Sequence, residues 1–225
     1  MPARIRQAHA TMLLLGHRAG QQLREYGMGL DYSYEIFVPA RNVATALTAL
    51  TELAPRERHV PPLSLTLPGG IGLEVPYTSQ FKSDPVDCST AATLELDTSI
   101  MVAPDDAVLE DRAGRPTEPD ELGRIQVGYV YLRVTFASRL HPGYASLDFC
   151  AATSSMSRMF ERSPNMRAVF TDLTAACGGV CCLLDTESDH VTICWLNGRP
   201  VHDRVPGPRF PDDRALVDTW PDPHQ

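Results

Sequence analysis

The sequence predicts an α+β fold: a largely antiparallel sheet carrying two main helices, built from pseudo-duplicated strand–helix–strand–strand units. Two observations point there. Each half of the chain reads strand, helix, hairpin, and each helix carries its apolar residues on one face. A third is a pair of long β-prone runs in the middle of the chain, which widens the sheet.

The first unit opens with Tyr32–Ala40, a β-prone run that ends at Pro39. Asn42 is a suitable N-cap for a helix whose apolar residues, Val43, Ala46, Leu47, Leu50 and Leu53, share one face, and Pro55 stops it. Leu63–Leu67 and Ile71–Tyr77 read as a hairpin across Pro68-Gly69-Gly70. Thr93–Val102 is a strand. Arg124–Phe136 is a longer one, with Val130, Leu132 and Val134 on one face against Val127, Tyr129 and Tyr131 on the other, the pattern of a central strand covered on both sides. Between these two strands, Pro104–Gly123 carries seven acidic residues and reads as a solvated loop with room for a short hairpin.

The second unit begins with the strand Tyr144–Thr153. Ser154 or Ser155 caps a first helical turn, Ser163-Pro164 interrupts it, and Asn165 starts the main helix. Its apolar residues Met166, Val169, Phe170, Leu173 and Ala176 repeat those of the first helix at an offset of 123 residues. Asn42, Thr48, Leu50 and Thr51 likewise recur as Asn165, Thr171, Leu173 and Thr174. Gly178-Gly179 ends the helix, and Val180–Asp185 and His190–Leu196 form a hairpin. This order of elements resembles that of the duplicated modules of gyrase-inhibitor-like effector-binding proteins. The likeness lies in the order alone, and no residue motif accompanies it.

The domain plan follows. Residues 1–27 read as a disordered or over-annotated extension, with Met28 as the native start. Residues 28–198 form one pseudo-duplicated domain: a first half of about 28–80, central strands over 88–136 and a second half of about 141–198. Residues 199–225 are a Pro/Asp/Arg-rich tail with isolated anchors at Phe210, Leu216, Val217 and Trp220. At 225 residues, 43% hydrophobic and 21% charged, the composition is that of a globular chain and excludes disorder throughout.

The formal charge of −8 argues against a broad basic surface for nucleic acid. Lys82 is the single lysine; arginine, alanine, glycine and proline all have GC-rich codons, which predicts a high-GC bacterial source. No run approaches the roughly 18 apolar residues that cross a bilayer. The patch Ala10–Gly16 is short for a signal peptide, and His17, Arg18 and Arg24 follow where a cleavage site would lie. A cytoplasmic protein without membrane contact is predicted, its six cysteines free thiols in the core.

The densest chemical cluster is Cys177, Cys181 and Cys182, with Cys194 on the following strand, expected opposite Cys181. Cys177, Cys181 and Cys194 are the residues a metal would use, but Cys181 and Cys182 point to opposite faces, and core thiols are the simpler reading. No cofactor is implied. A nucleophilic cysteine needs a histidine beside it, and His59, His141, His190 and His202 sit in no local signature. There is no Gly-x-Ser-x-Gly elbow, and Gly69-Gly70-Ile71-Gly72 lacks the Lys-Ser/Thr of a phosphate loop.

Strand carboxylates are more suggestive. Glu35, Glu95 and Asp97, with Tyr32, Tyr34, Tyr129 and Tyr131, are expected to line one sheet face suited to a cationic or amphipathic ligand. The reading favoured is therefore a non-catalytic module binding a small molecule or a protein partner. The alternatives are an enzyme using a Cys or a Glu/Asp on a small substrate, and an immunity-type or structural interaction protein.

Overall fold

The computed structural model describes residues 29–55, 61–207 and 214–223. The expectations on residues 1–27, Met28, His59 and Phe210 fall outside them. Among the described residues, ten strands and five helices make an α+β fold, as predicted. The strands are β1 (Ser33–Pro39), β2 (Leu63–Leu67), β3 (Ile71–Val75), β4 (Val86–Asp87), β5 (Thr93–Val102), β6 (Ile125–Thr135), β7 (Tyr144–Ala151), β8 (Cys181–Asp185), β9 (His190–Leu196) and β10 (Arg199–Pro206). The helices are α1 (Val43–Thr51), α2 (Asp106–Asp111), α3 (Ser154–Arg162), α4 (Pro164–Ala176) and α5 (Arg214–Val217).

Seven strands make one antiparallel sheet in the order β10-β9-β8-β1-β7-β6-β5; β3-β2-β4 make a second, smaller one. The two units therefore share an order of elements but not a placement. The hairpin β2–β3 leaves for the small sheet, whereas β8–β9 extends the large one. The segment expected as an irregular tail begins with an edge strand, β10, whose Pro200 and Pro206 blunt the edge.

Side-chain alternation assigns the two faces of the large sheet. Tyr34, Ile36 and Val38 of β1 point to one side, as do Leu147 and Phe149 of β7 and Leu94 and Leu96 of β5. There they meet Val43, Ala46, Leu47 and Leu50 of α1 and Met166, Phe170 and Leu173 of α4 in one continuous core, which also takes Leu63, Leu65 and Leu67 of the small sheet. At the end of α4 the chain passes tightly over β1. A Cβ on Gly179 would lie 2.6 Å from Thr174 Cγ2 and 3.2 Å from the Phe37 carbonyl oxygen, so only glycine fits.

Several helix starts differ from expectation. Asn42 does not cap α1 with its side chain; its Nδ2 donates to the Cys177 carbonyl oxygen at 3.0 Å, tying the start of α1 to the end of α4. Thr153, not Ser154 or Ser155, caps α3, its Oγ1 accepting from Met156 N at 3.2 Å. Ser163 caps α4, with Pro164 at the first helical position in place of Asn165. The acidic stretch after Pro104 holds helix α2 instead of a hairpin, because Asp105 caps it by accepting from Val108 N at 3.0 Å.

Asp105 also accepts from the Ser163 hydroxyl at 2.6 Å and from Asn165 N at 3.1 Å, so one carboxylate holds the starts of α2 and α4. Burial opposes its charge, yet the Ser163 hydroxyl and the N–H groups of Val108, Asn165 and Ala107 outweigh it and hold the carboxyl below the usual range. A lowered folded pKa contributes stability that is full above the unfolded value near 3.9 and is lost as pH falls through the folded value. Asp105→Ala is expected to cost about 1–2 kcal/mol at neutral pH, the size of a lost cap. Urea titrations at a series of pH values should show the gap to the parent chain narrowing in acid; a gap that is constant down to low pH would refute the assignment.

Candidate functional site

The other face of the large sheet is divided. At one end Phe37, Tyr144, Cys181, Leu183, Val191 and Ile193 lie beneath Leu216 and Trp220 of the C-terminal segment. The Trp220 ring meets Phe37 at 5.0 Å and Tyr144 at 5.1 Å between centroids. Tyr144 Oη donates to the Pro221 carbonyl at 2.7 Å, Asn197 Nδ2 to the Thr219 carbonyl at 2.9 Å, and Arg41 to the Pro223 carbonyl. A shallow hollow of about 490 Å³ lies here, lined by Arg41, Tyr144 and Asn197 among others. These three side chains already bind the C-terminal segment, or strap, and Thr219, Pro221, Asp222 and Pro223 of the strap form part of the wall, so the hollow is the gap left between the strap and the sheet.

At the other end the face is open, and register builds two polar rows across four strands. In the first, Glu35 of β1 pairs with Asp148 of β7, Asp148 with Arg133 of β6, and Arg133 with Glu95 of β5. In the second, Ser33, Cys150, Tyr131 and Asp97 follow in the same order. Neighbours within a row are roughly 5 Å apart. Arg133 Nη2 contacts Glu95 Oε1 at 3.0 Å, a solvent-exposed pair that contributes little to stability. Burial pushes the Asp148 carboxyl above its usual range, Asp185 adding to it against the Ser33 hydroxyl and Arg133. Burial also raises the neighbouring Cys150 thiol to about 11.

Of the seven residues expected on one face, Glu35, Glu95, Asp97, Tyr129 and Tyr131 share the open one. Tyr34 does not: it is buried among the helices, its ring stacked on Phe170 at 4.2 Å and its Oη donating to the Phe160 carbonyl at 2.9 Å. Burial pushes its hydroxyl pKa well up. Tyr32, two residues earlier, packs half-buried on the same helical side. Strand β6 is not covered on both sides either, since Tyr129 and Tyr131 are 62% and 44% exposed. A β-bulge explains the misreading. Thr98 pairs with Val130 but Ile100 with Val127, so two residues of β6 oppose one of β5 and the alternation shifts by one. Val127 thus joins Val130 in the core, leaving Tyr129 outside.

Three partners were not foreseen. Arg133 and Asp148 are alternation signals within β6 and β7, legible once the strands are placed. Phe81 carried no local signal. It arrives on a tight turn, Ser79–Lys82, beside β5, where Thr78 and Asp97 exchange backbone hydrogen bonds at 3.2 and 2.7 Å. Its own N–H donates to Asp97 Oδ2 at 2.8 Å. The ring, 61% exposed, stands near-perpendicular to Tyr129 and Tyr131, with centroids at 6.0 and 6.4 Å.

Two of these three aromatic residues hold strained backbone. Phe81 has φ of 61° and follows Gln80 at 52°, the paired left-handed angles of a hairpin turn that favours Asn-Gly. Tyr129 has φ of 30° in the bulge, where the adjacent Gly128 does not take the positive angle. Bulky residues in this region cost about 1–3 kcal/mol each and collect at working surfaces.

The cysteines converge less than expected. The hairpin pairs Asp185 with Val191, one residue beyond the expected register, and a bulge between Cys182 and Leu183 adds another, so Cys181 lies opposite Leu196; Cys177, Cys182 and Cys194 lie in the helical core and Cys181 on the side of the C-terminal segment. Among the described residues no cluster of His, Cys, Asp or Glu could hold a metal ion. Burial raises the Cys177 thiol to about 11 and those of Cys181 and Cys182 further, the reverse of what a thiolate nucleophile needs. No described helix is long and apolar enough to cross a membrane. Comparison with protein families, with curated proteins and with solved structures finds no match to this chain, so its likeness to others supplies neither family nor activity.

Proposed function

We propose that this chain is a non-catalytic binding module whose open sheet end receives a protein partner. One observation carries the reading: Phe81, Tyr129 and Tyr131, half of the large exposed apolar residues described, gather at one point of one face. Scattered exposed apolar residues are ordinary, whereas a gathered aromatic patch with a polar surround is the composition of an interface centre. The surface there is open rather than enclosed, which suits a protein better than a small molecule that must bury most of its area.

The test is recovery of partners by the tagged full chain from its own cells, beside the triple variant F81S/Y129S/Y131S. A specific partner is expected on the parent and is lost on the variant, whose thermal melt stays cooperative. The same partner held equally by both would overturn the reading. So would strong thermal stabilisation by one small metabolite that the triple variant retains.

A further inference from the structure

We propose that Phe81, Tyr129 and Tyr131, with Asp97 at their base, form an open-sided cage for one arginine or lysine side chain from a basic segment of the partner. This rests on the binding reading above and names the chemistry of the occupant. Three observations support it.

The first is ring geometry. Phe81 is inclined 76° to Tyr129 and 78° to Tyr131, so neither tyrosine stacks on Phe81, and all three residues keep 44–62% of their surface in water. The negative face of an aromatic ring attracts a cation placed over it.

The second is charge. Asp97 lies beneath Phe81 and beside Tyr131 in register, and Glu95, Glu35 and Asp148 continue in the adjoining row. Arg133 is the one basic side chain in the two rows, and Glu95 already holds it at 3.0 Å. With the exposed Lys82 beside Phe81 counted as well, four carboxylates still face two basic side chains, so the open end carries surplus negative charge complementary to a basic segment, in a chain of net charge −8.

The third is strain. Phe81 and Tyr129 occupy left-handed backbone that glycine would hold without penalty, and neither side chain is buried in return. Glu187 and Asn197 hold similar angles elsewhere, so the strain marks this patch only together with the gathered aromatic rings it carries.

Exposure selects the source of the cation. With walls 44–62% exposed, a free small cation would keep much of its surface in water. A cationic side chain on a peptide brings neighbours that cover the rest and reach the exposed Glu95.

The experiment is a titration of the isotopically labelled full chain, followed by NMR, with a peptide of alternating Arg and Gly. Its citrulline counterpart, uncharged but of the same shape, and tetramethylammonium are the controls. Amide shifts are expected at residues 81, 97, 129 and 131. Tyr131→Leu and Asp97→Asn should each weaken the peptide by about fivefold or more, and Tyr131→Phe by about twofold at most. Tyr129→Gly should weaken it by a similar factor while its melting temperature equals or exceeds that of the parent, because the strain is relieved; a purely structural Tyr129 would lower both.

Equal binding of the citrulline peptide, undiminished affinity in Tyr131→Leu, or shifts centred elsewhere would overturn the cage. Tetramethylammonium binding as tightly as the peptide would overturn the peptide source. If the triple variant loses its cellular partner while Tyr131→Leu and Asp97→Asn bind the peptide as the parent does, the cage falls and the interface stands. If the triple variant keeps that partner, the interface reading falls first.

Discussion

Phe170→Ala is expected to lower the free energy of unfolding by about 3–5 kcal/mol, the largest single effect in the molecule. Phe170 of α4 is fully buried at the junction of helices and sheet. It stacks on Tyr34 of β1 at 4.2 Å, and meets Phe149 of β7 at 5.1 Å and Phe160 of α3 at 5.6 Å. Removing the ring opens a cavity whose walls cannot collapse. Tyr34 is held by its hydrogen bond to Phe160, and Phe149 by the ladder between β1 and β6. A domain of this size has about 5–15 kcal/mol in all, so the loss is a large share of it. At about 2–4 °C per kcal/mol, the melting temperature should fall by roughly 6–20 °C. Urea unfolding measures it directly; a loss under about 1.5 kcal/mol would show that the aromatic cluster is not the centre of the core.

Trp220→Ala is expected to cost about 2–4 kcal/mol and to release the C-terminal segment locally rather than melt the sheet. The indole covers Phe37 and Tyr144, and its neighbours are held by the bonds from Tyr144 to Pro221 and Asn197 to Thr219. Without the ring, the segment retains hydrogen bonds that water can replace, and Phe37 and Tyr144 lose their cover. Hydrogen exchange should accelerate around Phe37, Tyr144 and the end of β9 at Asn197 while the helical core stays protected. Trp220→Phe keeps the apolar contact and loses only an indole N–H that has no partner among the described residues, so it should cost less than about 1.5 kcal/mol. Exchange that quickens equally in α4 and in the β5–β6 ladder, which lies outside the cluster that the segment covers, would refute a local release.

Where alternation and helical spacing act alone, the sequence is readable. Glu95 and Asp97 against Leu94 and Leu96 place the faces of β5, and Val43, Ala46, Leu47 and Leu50 place the buried side of α1. Tyr34 cannot share the face of Glu35, because neighbours on one strand point to opposite sides, and alternation alone already excludes it from the open face. Helix caps were misread by one residue where Thr, Ser and Asn lie adjacent, since each can cap.

The amino-acid order by itself therefore determined the α+β class, eight of the ten strands described, and the faces of the two main helices, because those follow from periods of two and of 3.6 within a short window. Tertiary structure alone decided the candidate site. The bulge at Gly128–Tyr129 shifts one strand's alternation, the strap covers one end of a face that local pattern leaves uniform, and the Ser79–Lys82 turn carries Phe81 to residues 129 and 131. Each depends on contacts between residues far apart in the chain, and those energies are not written in any local stretch of it.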